Sequence, residues 1–303
     1  MGKITGIFKT FKEPAFEKLL PDQIIDPTHP RPYTLVVDLD KFLVCHMWDP
    51  EHSRWRVAKR PGAELFLFYA AQMFEVVVFS SLPQHEGDAL VKKLDPFGCI
   101  SHSLFRFATT HTNNGVYLKD LSKINRDLSK VIVLGHDKAG FSGHPENFVQ
   151  MKEWNGDSKD RALEQSIDYL EMLAFSRMKD LRPAIKYQSE KVFPDDFEKE
   201  QMETFESARQ KNLEMVAKRN NNFLFRLIGL SKSASALQKE LPTYQFKKEE
   251  RMDLRRREFA HLRDLMNKQM QAEMEKEKAF YKEHKMALWD LFSKGPPAPK
   301  PEN

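Results

Sequence analysis

Two carboxylates, Asp38 and Asp40, interrupt the apolar stretch YTLVVDLDKFLVCH (33–46). Carboxylates delivered together at the end of a hydrophobic run are groups that can attack an electrophile, move a proton or hold a hard cation. Many parallel strands also end in an aspartate that keeps the edge soluble or caps a helix, so the pair by itself leaves an active and a structural reading open. The order of the later polar groups raises its value. A hydroxyl, Ser80, closes a second apolar run; a lysine, Lys119, comes next; and a third run, KVIVL (130–134), enters a polar loop at Gly135, His136 and Asp137.

The runs that deliver these groups are TLVV (34–37), EVVVFS (75–80) and KVIVL (130–134). Each is almost entirely apolar and β-branched, as strands covered on both faces are. Between them GAELFLFYAAQMF (62–74) and HEGDALVKKLDP (85–96) have the periodicity of amphipathic helices. The alternation predicts an α/β doubly wound parallel sheet. Its ligand crevice lies outside the carboxyl ends of the strands, where Asp38, Asp40, Ser80 and the loop after Leu134 fall.

Two hairpins interrupt the pattern. LVCHMWDPEHSRWRVAKRPG (43–62) reads as two short strands, with Trp48 and Trp55 flanking a turn at residues 49–52. A second turn at Asn113, Asn114 and Gly115 predicts another, and both belong at the mouth of the crevice. After about Asn155 the chain turns helical, over 157–179, 195–219 and a long charged segment from about Gln245 to Met286. In that segment Phe259, Leu262, Leu265, Met266, Met270 and Met274 recur at helical spacing. It reads either as a helix packed on its own domain or a partner, or as one lying on a membrane surface. The expected organisation is an extended, proline-bearing arm (1–32), an α/β domain (33–181), a helical and linker region (182–243), a long charged helix (244–292) and a disordered tail (293–303).

Composition bounds the function. With 48 basic against 44 acidic residues and a net charge of +4, the surface is mixed and does not imply nucleic acid. Cys45 and Cys99 stand far apart without ligand spacing, so they predict core packing and no disulfide or zinc site. No apolar run approaches the roughly 20 residues of a membrane helix, so the chain as given is expected to be peripheral to a membrane. The opening MGKITGIFKTFKEPAF scatters Lys3, Lys9 and Lys12 among Ile4, Ile7, Phe8 and Phe11. It reads either as a cleavable presequence, although it lacks arginine and Pro14 stops it early, or as a segment docking its aromatics on the core. Gly6 stands where an N-myristoylation signal requires Ser or Thr.

The ordered series of Asp38, Asp40, Ser80 and Lys119 resembles the haloacid dehalogenase superfamily. VAKRPGAELFL, VVVFSS and YLKDLSKINRDLSKVIVL resemble its branch related to the phosphatases of the RNA polymerase carboxyl-terminal domain. Within that branch, FKEPAFEKLLPD, RWRVAKRPG, KLDPFGCISHSLFR, PENFVQMKEWNGDSKD and FLFRLIGLS resemble, in order, the presequence-receptor family of the mitochondrial inner-membrane translocase. The likeness runs over roughly residues 8–231 and leaves the long charged helix without a family motif. It implies a haloacid-dehalogenase-like (Rossmannoid) parallel sheet with inserted β-hairpins and a helical carboxyl-terminal extension. In active members, it further implies, the first aspartate attacks phosphate, the second shuttles the proton, the hydroxyl and lysine hold phosphate oxygens, and a late acidic pair completes a magnesium site.

This sequence departs from that pattern. Lys41 follows Asp40 and sets an ammonium beside the expected magnesium position, Phe42 replaces a threonine, and Gly135 stands where an acidic ligand is required, with Asp137 two residues on. Asp38, Asp40, Ser80 and Lys119 are therefore expected to be vestigial, with no catalytic residue, no metal and no cofactor. The resemblance then implies a non-catalytic receptor or adaptor on the intermembrane-space side of the mitochondrial inner membrane, binding presequence-bearing precursors and handing them to the channel. Trp55, Arg56 and Lys59, on the first hairpin, are the expected partner contacts, near its base, facing the channel subunit. Two alternatives stay open: a structural subunit of a larger inner-membrane complex, and a magnesium-dependent serine/threonine phosphatase.

Overall fold

β1 (Tyr33–Val37) is buried at every position, as its unalternating YTLVV sequence requires of a strand covered on both faces. In this computed structural model, which describes residues 16–24, 27–28, 31–220 and 242–294, β1 is the middle of a five-stranded sheet. The other strands are β4 (Phe74–Phe79), β5 (His102–Leu104), β8 (Val131–Gly135) and β9 (Phe148–Gln150), in the order β5–β4–β1–β8–β9, and every pairing is parallel. The chain leaves β1 toward β4 and β5, then returns to its other side as β8 and β9. That reversal places the topological switch point at the carboxyl end of β1. β5 and β9 were not expected from the sequence: HSL and FVQ are too short to show a period and take their form from the sheet edge they extend.

Helices α1 (Ala63–Met73) and α2 (Gln84–Leu94) make the crossovers around β4. α1 sinks Leu65, Phe66, Leu67 and Ala70 into the core, whereas α2 buries only Gly87 and Leu94 and keeps Lys92 and Lys93 in its last turn. α3 (Ala162–Phe175) begins later than the expected residue 157. The carboxylates of Asp157 and Asp160 accept the N–H groups of Lys159 and Ala162 at 2.9 and 3.2 Å, folding the lead-in as turns instead of helix. α4 (Arg182–Ser189) follows.

The two hairpins are β2 (Val44–Asp49) with β3 (Arg54–Lys59), and β6 (Thr110–His111) with β7 (Tyr117–Leu118). Under the sheet, Val36, Val77, Phe79, Val133, Phe141 and Phe148 form one cluster, with Leu20 from the amino-terminal arm packed into it. The arm is pinned by polar contacts as well. Leu19 N–H donates to the Lys123 carbonyl at 2.8 Å, and Arg126 bridges the Pro21 carbonyl (2.6 Å) to both oxygens of Glu75 (2.7 and 2.6 Å).

The chain divides into two compact units, Met1–Glu250 and Arg251–Asn303. In the first, α5 (Asp195–Asn220) receives the opening of α6 (Tyr244–Lys294). Lys248 pairs with Glu198, the Tyr244 ring lies 5.8 Å from that of Phe205, and Tyr244 N–H donates to Glu206 at 3.1 Å. The second unit holds the rest of α6, a helix of 51 residues in all. Among the described residues no helix is long and apolar enough to cross a membrane. The presequence-like opening (residues 1–15), the segment FLFRLIGLS (223–231) and the tail from 295 lie outside the described residues.

Candidate functional site

Register decides which groups meet at the switch point. Val37 stands opposite both Val78 of β4 and Leu134 of β8, so the next residue, Asp38, is level with Gly135. A Cβ placed on Gly135 would meet the Asp38 Cβ at 3.4 Å, an ordinary contact. Asp38 is 3% exposed. Its Oδ1 accepts the Leu39 N–H at 2.8 Å and its Oδ2 accepts Lys119 Nζ at 2.8 Å. The Lys119 side chain is itself 1% exposed, with Nζ 4.8 Å from the centre of the Phe141 ring. This is a charge-assisted contact in a dry setting, where either partner alone would be costly.

Asp137 reaches the same lysine. Its Oδ2 lies 3.8 Å from Lys119 Nζ, and its Oδ1 accepts the Gly140 N–H at 3.0 Å. Gly140 permits the approach, since a Cβ there would meet Asp137 Oδ2 at 2.4 Å. His136 also turns inward, with Nδ1 3.8 Å from Asp38 Oδ2; that atom is buried without a hydrogen-bond partner. The sequence singled out His136 only as the neighbour of a missing acid. Its direction depends on the path of the loop after β8.

The remaining expected residues are held differently. Asp40 lies at the mouth, its Oδ1 3.3 Å from His46 Nδ1, and the other ring nitrogen of His46 is 3.5 Å from Glu86. Ser80 is buried just past the end of β4, where its Oγ accepts the Leu82 N–H at 3.3 Å. With φ 54° the backbone turns left-handed at Lys41, and its ammonium meets Glu153 at 2.8 Å while its charge is still felt by Asp40, with which it lines one hollow. Glu153's hydrogen bond and charge hold Lys41 above the ordinary lysine pKa, and Lys41's hydrogen bond holds Glu153 below the usual carboxylate range. Phe42 is fully buried against Phe66, with its ring 5.9 Å from the Arg60 guanidinium.

Arg60, by its sequence a turn residue, anchors the base of the first hairpin. Its side chain is fully buried and grips Asp160 through two bonds of 2.8 and 2.9 Å while donating to the Phe42 carbonyl at 3.2 Å. Lys59, next to it, pairs with Glu64. Arg56 stands opposite Met47 and Trp55 opposite Trp48, close to the turn, so these two are not at the base as expected. Although a pleat alternates side chains, Trp55, Arg56 and Lys59 all border one hollow against α2. Trp55 is 68% exposed and meets Trp48 edge-on at 5.6 Å. Of the two cysteines, Cys45 is buried and Cys99 only half-buried. Burial first, then the nearby Asp95, pushes the Cys99 thiol up to about 12, which makes it a poor nucleophile.

Two hollows flank the hairpin. One, of about 380 Å³, is lined by Asp40, Lys41, Cys45, His46, Met47, Trp48 and Asn155. The other, of about 570 Å³, lies against α2 and takes its charge from Arg54, Arg56, Lys59 and Lys93.

The donor set can be tested for magnesium, which the superfamily resemblance implies. A hard divalent ion calls for several anionic oxygens free to converge. Here Asp38 already has one oxygen on a backbone N–H and the other on Lys119, Asp137 is shared between Lys119 and Gly140, and Gly135 offers no side-chain oxygen. The residues present do not fit the ion, because an ammonium occupies the position of the counter-charge.

A family model for NLI interacting factor-like phosphatases matches residues 33–182. That match spans the α/β domain from its first strand to the start of α4. The domain's sheet, inserted hairpins and carboxyl-terminal helices make it haloacid-dehalogenase-like. The chain is 40% identical over 232 residues to the mitochondrial import inner membrane translocase subunit tim50 of Aspergillus fumigatus, covering 76% of this chain and 46% of that protein. With the subunit of the same name from Candida glabrata the identity is 38%, with the same coverage. The chain thus spans about half the length of the curated relatives it matches. Among solved structures, the RNA polymerase II CTD phosphatase Fcp1 aligns over 52% of each chain at 17% identity and a TM-score of 0.34, too distant to carry any argument about this domain.

Proposed function

We propose that the chain is a non-catalytic receptor or adaptor of mitochondrial protein import, placed at the inner membrane on its intermembrane-space side, which binds basic amphipathic presequences and passes them to the channel. The observation that carries this reading is the match, over three-quarters of the chain, to proteins named as inner-membrane import translocase subunits. The site chemistry agrees with it. Lys119 holds Asp38 and Asp137 as an internal counter-charge, so neither is available as a metal-bound nucleophile or ligand, and no cofactor is required.

A basic amphipathic helix needs an acidic, partly apolar surface. The smaller hollow supplies Asp40 beside Met47 and the exposed Trp48, with Glu86 and Glu153 one ion pair away through His46 and Lys41. The basic hollow against α2, with Trp55, Arg56 and Lys59, suits a partner of opposite charge and is assigned to the channel subunit.

The test is binding of a fluorescent, basic amphipathic presequence peptide to the purified chain. Affinity should fall as salt rises, because exposed charges are screened over about 10 Å at 0.1 M ionic strength. It should also fall in Asp40→Asn and Trp48→Ala variants. A peptide that ignores salt, or binds these variants as it binds the parent, refutes the assignment.

Magnesium-dependent phosphatase activity is the second reading, favoured by the family's description and by the approach of Asp137 to the site. It requires magnesium-dependent release of phosphate from an aryl phosphate that disappears in Asp38→Asn. The proposed function expects none.

A further inference from the structure

α6 carries one apolar face along most of its length, but only its beginning is covered. At 3.6 residues per turn, Tyr244, Lys248, Met252, Arg255 and Phe259 fall on a common stripe, and all are buried. Leu262, Met266, Met270, Met274 and Tyr281 continue the same stripe, with exposures of 38% at Leu262, 51% at Met274 and 63% at Tyr281. A stripe that is buried at the start of a helix and continues in solvent past Phe259 is unfinished packing.

The charges within the exposed stripe are Arg263, Glu273 and Glu277. Arg263 and Glu277 are equidistant in sequence from Met270, Met266 and Met274 flank it at a smaller equal spacing, and Glu273 has Asn267 as its mirror position. The pattern is complementary to its own reverse. A second helix of the same sequence, laid antiparallel with its centre at Met270, sets Met266 against Met274, Met270 against itself, and each Arg263 against the other chain's Glu277. A parallel copy instead stacks Arg263 on Arg263 and Glu277 on Glu277, which like-charge repulsion opposes.

We propose that the exposed half of α6 is a homotypic interface, where two copies of this chain pair as antiparallel helices about a two-fold axis at Met270. Such a contact is isologous, so every favourable pair occurs twice and the assembly closes at two. Methionines suit it, since their unbranched, polarisable side chains interdigitate without demanding one geometry. The inference stands independently of the import reading, because none of the paired residues, from Arg263 to Glu277, enters that reading.

The experiment is sedimentation velocity of the full chain from about 1 to about 100 μM, a span in which a micromolar dimer forms and dissociates. The parent should pass from monomer to dimer. Arg263→Glu and Glu277→Arg, taken singly, place like charges at two symmetric positions and should each weaken association by about tenfold or more. The double variant, Arg263→Glu with Glu277→Arg, restores both pairs with their signs exchanged and should recover the parental dissociation constant. Circular dichroism confirms that each variant keeps its helix content. A parent that stays monomeric throughout, single variants that associate as the parent does, or a double variant that is not rescued overturns the proposal.

Discussion

Lys119 decides the character of the site. A buried ammonium 2.8 Å from a buried carboxylate supplies that carboxylate's counter-charge from within the fold. Lys119→Met should destabilise the domain by about 3–5 kcal/mol in urea unfolding, because it leaves Asp38 buried and uncompensated. Adding Asp38→Asn to it should recover most of that loss, since the unpaired charge and not the missing lysine is the costly element. Gly135→Asp reverses the logic. The new Cβ meets Asp38 at an ordinary 3.4 Å, so the change brings a second carboxylate beside Asp38 without a backbone clash. In EDTA this variant should melt lower than the parent, and magnesium should raise its Tm while leaving the parent's unmoved. A variant indifferent to magnesium shows that the absent oxygen at residue 135 is not what keeps the ion out.

At the scale of elements, ionic clamps join pieces that are distant in sequence. Glu75 of β4 accepts Thr34 Oγ1 of β1 at 2.9 Å and both arms of Arg126, which also holds the amino-terminal arm at Pro21. Burial pushes the Glu75 carboxyl up, but the Arg126 and Thr34 hydrogen bonds, with the Arg126 charge, outweigh it and hold the pKa below the ordinary 4.5. The sign comes from linkage. A depressed carboxylate contributes stability in full above its unfolded value of 4.5, and that contribution is lost as the pH falls through the lower folded value. Glu75→Gln should therefore lower stability at neutral pH and flatten its decline below about pH 4.5; equal slopes for parent and variant would remove this clamp from the acid response. The first hairpin behaves differently. Its base is fixed by Arg60 on Asp160, whereas Trp55 near its turn is mostly in solvent. Trp55→Ala should thus leave the melting temperature within a degree or two, the effect of an ordinary surface change, while capture of the channel partner drops sharply. Early melting of that variant makes Trp55 a packing residue instead.

Across the whole molecule, protection from solvent should track burial. The central strands are sealed, with Val36, Val77 and Val133 fully buried, so their amides should exchange with deuterium only through global unfolding. The amides of α6 beyond Leu262 belong to a helix whose apolar face is open, and they should exchange far faster. If the homotypic pairing holds, that exchange alone slows as protein concentration rises. Uniform protection across both units contradicts the division of the chain at Arg251.

The strands and crossovers were legible because burial on both faces leaves a local trace, an unbroken apolar run, and amphipathic helices leave a period. Asp38, Asp40 and Ser80 could be named for the same reason, each closing or succeeding such a run, and Lys119 by its place in the ordered series that resembles the haloacid dehalogenase superfamily. The edge strands β5 and β9 left no trace, being too short to carry one. Contacts were the other limit. Sequence set Lys41 beside the expected metal position but did not show its partner, Glu153, and it left the reach of Asp137 open; the loop after β8 folds back against Gly140 and brings Asp137 to Lys119. Arg60 passed as part of a turn because its partner, Asp160, lies in a segment that only the closed fold brings near. What the residues determined by themselves is the scaffold and the list of groups at its switch point. Which of those groups share a charge was decided by tertiary structure, because electrostatic partnership depends on a few ångströms that no spacing along the chain encodes.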